Sequence, residues 1–245
     1  MIKRETILAQ NPWLTDVSVV AETTSTQIDA KNDLVDKKIF IADMQTQTRG
    51  RFGRQYFASN GDGIYMSLVL KISEDVKDYT ILTAAAVLTA IENLTTKKPL
   101  VKWVNDIYLD NKKICGILVE HLLSSNSIII GVGLNFNIEN FPIALREKAG
   151  SLFTNETPTI TRDALIAEIW SQFHLLSSSQ DFFNIYFNIY KSHSFILGKT
   201  VEFEENGRTI IGTATDLTKT GELIVNSDGL VKVLSSGEIS LKKWL

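Results

Sequence analysis

The sequence predicts an α+β protein, with a mixed, largely antiparallel sheet, packed helices and a small β-barrel after them. Three observations carry that prediction. Strand-like apolar runs separated by short turns follow one another through residues 101–136, as neighbouring antiparallel strands require. Residues 80–94 and 161–189 repeat their apolar side chains with helical period instead. From about residue 197 the chain turns to short strands with a turn signal every eight to twelve residues, the rhythm of a small barrel. The boundary is expected near Ile196-Leu197-Gly198, which divides the chain into 1–196 and 197–245.

Taken in order, residues 1–16 read at most as a linker, and 17–21 as a short strand. The polar residues of 24–31 can cap a helix. Ile39-Phe40-Ile41-Ala42 is a short strand run, and 64–70 has the pattern of a buried strand. Over 80–94, Ile81, Ala84, Ala85, Leu88 and Ile91 keep the i, i+3, i+4 rhythm, and alanine favours helix. Pro99 opens the next strand, and the turn chemistry of Asp110-Asn111-Lys112 makes a hairpin of 101–122, with Lys112 a solvated turn charge. Ser124-Ser125-Asn126 turns the chain into a strand over 128–136, and 138–160, with Pro142 and Pro158, reads as irregular. Thr161 can cap a helix whose apolar face is Leu165, Ile166, Ile169, Trp170, Phe173 and Leu176. A second helix places Phe182, Ile185, Tyr186 and Ile189 on one face. The barrel strands are expected at 200–203, 209–215, 223–225, 231–233 and 238–241, punctuated by Asn206-Gly207, Thr220-Gly221 and Asp228-Gly229.

Composition narrows the function. The net charge of −3 across 245 residues argues against bulk nucleic-acid affinity and leaves room for a local basic patch. The one cysteine, Cys115, cannot form a disulfide within the chain, which fits a reducing compartment. No apolar run approaches the roughly 20 residues that span a bilayer, and Met1-Ile2-Lys3-Arg4-Glu5 lacks the apolar segment of a signal peptide. A cytoplasmic protein with no membrane partner is expected. His121, His174 and His193 have no partner at metal-ligand spacing, so no protein metal site is expected, and His174 and His193 read as packing or surface residues.

Chemistry concentrates in two places. Thr48-Arg49-Gly50-Arg51-Phe52-Gly53-Arg54 sets three arginines and two glycines in seven residues. Arginine presents a planar fork suited to phosphate and carboxylate, and glycine lets backbone approach a ligand. Residues 101–109 then read Val-Lys-Trp-Val-Asn-Asp-Ile-Tyr-Leu, and 112–120 read Lys-Lys-Ile-Cys-Gly-Ile-Leu-Val-Glu. In this order, an arginine-glycine loop, a Lys-Trp-x-Asn-Asp strand and a Lys-x-x-Gly-Ile-Leu-x-Glu strand resemble the biotin protein ligases. Thr23-Thr24-Ser25-Thr26-Gln27 resembles that family's biotin-contacting segment, Gly131-Val132-Gly133-Leu134-Asn135 its Gly-x-Gly-x-Asn strand, and Gly237-Glu238-Ile239-Ser240-Leu241 its C-terminal ending. The resemblance runs from about residue 18 to the end.

It implies the fold shared by class II aminoacyl-tRNA synthetases and biotin ligases, with a catalytic biotin/ATP domain over 1–196 and an SH3-like barrel over 197–245. The implied reaction has two steps. Biotin's carboxylate attacks the α-phosphate of ATP, giving biotinyl-5′-AMP and pyrophosphate. A lysine amine on a biotin carboxyl carrier protein then takes the biotinyl group, and AMP leaves. Both nucleophiles belong to substrates, so the enzyme works by positioning and charge stabilisation.

The resemblance assigns Arg49 and Arg51 to the biotin carboxylate and the α-phosphate, joined by Lys113, with Gly50 at the biotin site, while Gly53 and Arg54 shape the loop. Gln45, Ser25, Thr26 and Gln27 wall the biotin ring, although Ser25 and Thr26 also suit a plain helix cap, and Gly116 admits the ring to the backbone. Lys102 screens phosphates or is a salt-bridged strand end, and Asp106 orients the incoming amine or receives its proton. Trp103 is an adenine wall or core, and Asn105, Asn135 and Arg54 are nucleotide contacts. Mg2+ is implied with ATP, held by phosphates and water with no firm protein ligand. This chain departs from the family at Thr48, Phe52 and Val104. A lipoate or octanoate ligase of the same fold is the alternative enzyme. A biotin-responsive repressor is the alternative of another class; its N-terminal DNA-binding module takes roughly sixty residues, whereas about twenty precede the first motif here. No DNA partner is expected, and the resemblance allows a homodimer.

Overall fold

The computed structural model describes residues 2–53, 56–72, 78–178, 182–205, 207–235 and 240–241. Helix α1 (Arg4–Gln10) leads into β1 (Asp16–Thr23), α2 (Thr26–Asn32), β2 (Lys38–Gln45), β3 (Gly63–Lys71) and α3 (Tyr79–Leu94). Strands β4 (Leu100–Lys102), β5 (Asp106–Leu109), β6 (Lys112–Leu122) and β7 (Ser127–Asn135) follow, then α4 (Arg162–Ser178) and α5 (Phe182–Ser192). The chain ends in β8 (Thr200–Glu205), β9 (Arg208–Leu217), β10 (Leu223–Ser227), β11 (Leu230–Leu234) and β12 (Ser240–Leu241).

Seven strands form one sheet in the order β1-β2-β3-β7-β6-β5-β4, with only β1 and β2 parallel. The two-residue period of a strand sorts its faces. Ile64, Met66 and Leu68 of β3, with Ile128, Ile130, Val132 and Leu134 of β7, join the main core. That core also holds Ile81, Leu88 and Ile91 of α3 and Ile169, Trp170 and Phe173 of α4. On the opposite face, Val69 and Ile129 pack with Ala30 of α2 in a smaller cluster. Continuing along that second face, β7 carries Gly131, Gly133 and Asn135, and β3 carries Ser67. The apolar cover ends there and the functional face begins.

Local chemistry accounts for the element ends. Asp78 caps α3, its carboxylate accepting from the Thr80 and Ile81 N–H groups at 3.1 Å. The β5–β6 turn places Asp110 and Asn111 at φ of 50° and 63°, the left-handed region these residue types tolerate.

Three sequence expectations change. Residues 1–16 are not a linker: Ile2, Ile7 and Leu14 are buried, and the Asn11 amide donates to Ile7 O at 3.0 Å and Ala167 O at 2.9 Å. In α5, Ile185 is exposed and the buried positions are Tyr186 and Tyr190, because the helix packs its tyrosine side against the core. Lys112 is not a free turn charge; its ammonium donates to Arg146 O at 2.8 Å and ties the start of β6 to the turn after Ile143–Leu145.

The C-terminal strands form an antiparallel sheet in the order β11-β10-β9-β8-β12. Val201, Phe203, Leu217 and Leu223 belong to the same core as the large sheet. Gly221, in the β9–β10 turn, has φ +85°, and a Cβ there would lie 2.2 Å from Ile81 Cδ1 and 3.0 Å from Asp78 Oδ2. Its carbonyl accepts the Trp103 indole N–H at 2.9 Å, so this turn is seated against the end of β4 and the start of α3.

Candidate active site

A cavity of about 870 Å³ opens on the second face of the large sheet. Its described lining includes Arg49, Arg51, Lys102, Lys113 and Lys148 against Asp106 and Glu147. A chain of net charge −3 thus gathers cations at one concavity, which suits an anionic ligand.

Lys113 and Gly116 are three apart and would face opposite sides of a regular strand. A register shift intervenes: Asp106 pairs with Gly116 and Ile107 with Cys115, but Tyr108 pairs with Lys113, leaving Ile114 as the extra residue. The bulge brings Lys113 round to the face of Gly116. The Lys113 ammonium then pairs with Asp106 Oδ1 at 2.6 Å, and a Cβ on Gly116 would stand 3.3 Å from that lysine's Nζ. The spacing seen in the sequence is therefore the spacing a bulged strand needs. Lys113 is also held from behind, since its N–H donates to Lys148 O at 2.9 Å and its carbonyl accepts from Gly150 N at 3.0 Å.

Across the cavity the arginine-glycine loop forms a tight turn over Arg51–Gly53, with Phe52 at φ 56° and ψ 28°. Thr48 closes the loop's neck: its hydroxyl accepts the Tyr56 N–H at 2.9 Å and donates to Tyr56 O at 2.6 Å. Arg51 donates to Asn105 Oδ1 at 3.0 Å and lies 5.0 Å from the Phe52 ring centre. The Asn105 amide in turn donates to Ile117 O at 2.9 Å. Arg49 is exposed at the rim, with Gly50 beside it on the lining. Arg54 lies outside the described residues.

The third wall comes from the start of α2. Ser25 is the helix cap residue by position, but its side chain makes no cap hydrogen bond. Thr26 instead links to Gln45, its N–H reaching Gln45 Oε1 at 2.7 Å and its hydroxyl at 3.2 Å. Ser67 bridges Thr26 and Gln27 at 2.9 Å each. Gln27 also donates to Ile129 O at 3.4 Å, and a Cβ on Gly131 would fall 2.6 Å from its Oε1. Glycine at 131 is thus what admits the Gln27 amide to the sheet.

The remaining expected residues have more divided roles. Trp103 borders the cavity but is buried in the core, and its N–H is taken by Gly221. The Lys102 ammonium lies 6.0 Å from the Tyr108 ring centre. The Asn135 amide donates to Gly150 O at 2.8 Å, which anchors the segment beside Lys113. Cys115 is buried at the cavity floor, and burial pushes its thiol up to about 12.

Tyr56, Ser67 and the 141–149 segment, with Phe141, Leu145 and Lys148 on the lining, were not among the expected site residues. Ser67 carried a signal: a serine in the middle of an otherwise apolar strand run. The 141–149 segment carried none, because its place beside Lys113 depends on backbone bonds that no side-chain pattern encodes. Among the described residues no group of three or more His, Cys, Asp or Glu is placed to hold a metal.

The sequence matches the Biotin/lipoate A/B protein ligase family over residues 18–137 and the Biotin protein ligase C terminal domain over residues 196–242. It is 28% identical over 247 residues to the bifunctional ligase/repressor BirA of Bacillus subtilis (strain 168), spanning 96% of this chain and 75% of that protein. It is 25% identical over 253 residues to the biotin–[acetyl-CoA-carboxylase] ligase of Mycobacterium tuberculosis, spanning 96% of this chain and 92% of that one. The fold is similar to that of the biotin protein ligase from Aquifex aeolicus in complex with biotin and ATP, with a TM-score of 0.80 at 25% identity, covering 94% of this chain and 100% of that one.

Proposed function

We propose, for a chain that belongs to the biotin protein ligase family, that it activates biotin as biotinyl-5′-AMP and transfers the biotinyl group to one lysine of a biotin carboxyl carrier protein. The observation that carries this is the cavity's division. A buried neutral wall of Thr26, Gln27, Gln45 and Ser67 suits a cyclic urea, and it faces a cationic end made by Arg51 and the Lys113–Asp106 pair.

In the first step a biotin carboxylate oxygen attacks the α-phosphorus of ATP, and pyrophosphate leaves with the electron pair. Two anions must meet, so cations have to offset their repulsion. Arg49, Arg51 and Lys113 supply that charge, with Lys102 screening the phosphates. Asn105 serves mainly by holding the Arg51 fork in place. Asn135 spends its N–H2 on Gly150, which leaves its oxygen for the nucleotide. In the second step an acceptor amine attacks the anhydride carbonyl carbon and AMP departs. Asp106 receives the amine's proton or orients it, while Lys113 stabilises the charge on the departing phosphate.

A magnesium ion bound with ATP would neutralise part of the triphosphate charge; phosphate oxygens and water would hold it for the most part, with the Asp106 carboxylate among the oxygen donors on the cavity lining. The same reading divides the chain into a catalytic domain over 1–196 and a C-terminal domain over 197–245. It places the protein in the cytoplasm, where ATP and carboxylase carrier domains meet.

The test is incubation of the protein with Mg·ATP, biotin and a carrier domain, read by intact mass, with pyrophosphate release followed when the acceptor is left out. Biotin-dependent pyrophosphate release and a single biotinyl addition are expected. Release driven by lipoate or octanoate and not by biotin would reassign the substrate, and release with neither would overturn the ligase reading.

A further inference from the structure

Tyr56 lines the cavity, and its hydroxyl touches Gln45 Nε2. The protons of this contact can be placed. The Thr26 backbone N–H can only donate, so the Gln45 atom 2.7 Å away is the amide oxygen. The other Gln45 atom is then the amide nitrogen, which must donate to the Tyr56 oxygen. A phenol oxygen that accepts there keeps its own proton for another partner. Among the described residues none takes it.

The same wall continues beyond Thr26. Its hydroxyl donates to Gln45 Oε1 at 3.2 Å and lies 2.9 Å from Ser67 Oγ. Ser67 then donates to Gln27 Oε1 at 2.9 Å, and Gln27 donates to Ile129 O. The position of the phenol is equally constrained. Thr48 brackets the Tyr56 backbone on both sides, and the ring lies against Gly133, where a Cβ would come within 3.3 Å of it. Burial raises the ionisation of this phenol well above its ordinary range, so it remains a donor at any working pH.

We propose that Tyr56 is a specificity-determining residue whose hydroxyl donates to the ureido carbonyl oxygen of biotin. This rests on the biotin reading of the Gln45 wall and adds to it the group that recognises the ring's one strong acceptor. A donor fixed in this way favours a urea over a ring of the same shape with a poorer acceptor, because the phenol would then be left unsatisfied.

The experiment is calorimetric titration of the full chain, parent and Tyr56→Phe, with biotin and with its thiourea analogue, in which sulfur replaces the ureido oxygen. The parent is expected to prefer biotin. Tyr56→Phe should bind biotin about tenfold more weakly and the analogue within about twofold of the parent. Equal losses for the two ligands, or none, would make the hydroxyl a structural partner of Gln45 and overturn the proposal. Gly133→Ala is the second variant should Tyr56→Phe fail to fold. Its methyl crowds the ring without removing the hydroxyl, and it should cost biotin more than the analogue, whereas an equal cost overturns the proposal. A parent that binds no biotin overturns the ligase reading and this one together, while a parent that binds biotin with an unmoved preference in the variants overturns this one alone.

Discussion

Replacing Lys113 with alanine separates chemistry from stability. Its ammonium is the cation nearest Asp106, at 2.6 Å, and its side chain is 41% exposed. A unit charge about 4 Å from an α-phosphate oxygen is worth about 4 kcal/mol at an effective dielectric of 20. Exposure on this scale lets water screen roughly half of that, leaving ~2 kcal/mol. The loss also strands Asp106, whose carboxylate then faces the incoming triphosphate without its partner, adding ~1–2 kcal/mol of repulsion. The adenylation rate should fall by about 200- to 1,000-fold. The fold should barely register the change, because a half-exposed pair contributes under about 1 kcal/mol. Biotin-dependent pyrophosphate release and a thermal melt measure the two effects side by side. The stranded-carboxylate part has its own signature: Asp106→Asn added to Lys113→Ala should recover roughly tenfold of the lost rate. A single variant within threefold of the parent would return Lys113 to the surface, and a double variant no faster than the single would refute the role given to Asp106.

Two further outcomes are expected. Arg51→Gly removes the 3.0 Å bond to Asn105 and loosens the loop, so biotinyl-adenylate should leave at least about tenfold faster in stopped-flow fluorescence; an unchanged off-rate would reduce Arg51 to a surface contact. Burial holds the Asp78 carboxyl above its ordinary value of 3.8, so the fold favours its protonated form, and that stability is complete below the ordinary value and is lost as pH rises through the raised one. Asp78→Asn keeps a cap acceptor without the charge and should melt at or above the parent at pH 7, with the gap closing toward pH 4; a parent that is the more stable at pH 7 would show that the helix end welcomes the charge.

Local patterns were legible wherever one element decided its own structure. The alanine-rich rhythm of α3 and the Asp110-Asn111 turn are cases in which propensity and packing agree. Ser25, Thr26, Gln27 and Gln45 and the two basic motifs were named through the family resemblance of their segments, and the structure gathers them around one cavity. What escaped was set by distant partners. Helix α1 is seven residues long, too short for a period to stand out, and it is stabilised by Asn11 reaching Ala167. Ile185 and Tyr186 are adjacent on one amphipathic helix, and only the shape of the core decides which of them is covered. Tyr56 reads as one aromatic among several until Gly133 makes room for its ring. The Ile114 bulge lies between these extremes: the three-residue gap from Lys113 to Gly116 encodes it, but only once both are required to share a face.

The seat of Gly221 on Trp103 bears on how this protein can be cut or fused. The residue next to that indole is Lys102, and Asn105 and Asp106 follow within three positions. A chain trimmed after α5 would leave the indole N–H without its acceptor and uncover Ile81 and Asp78 beneath the vanished turn. The damage would surface at Lys102, Asn105 and Asp106 on the cavity lining, some distance from the cut. For anyone building a split or shortened biotinylating tag, the C-terminal strands are therefore a buttress of that side of the cavity, and permissive joints are better sought on loops that touch neither.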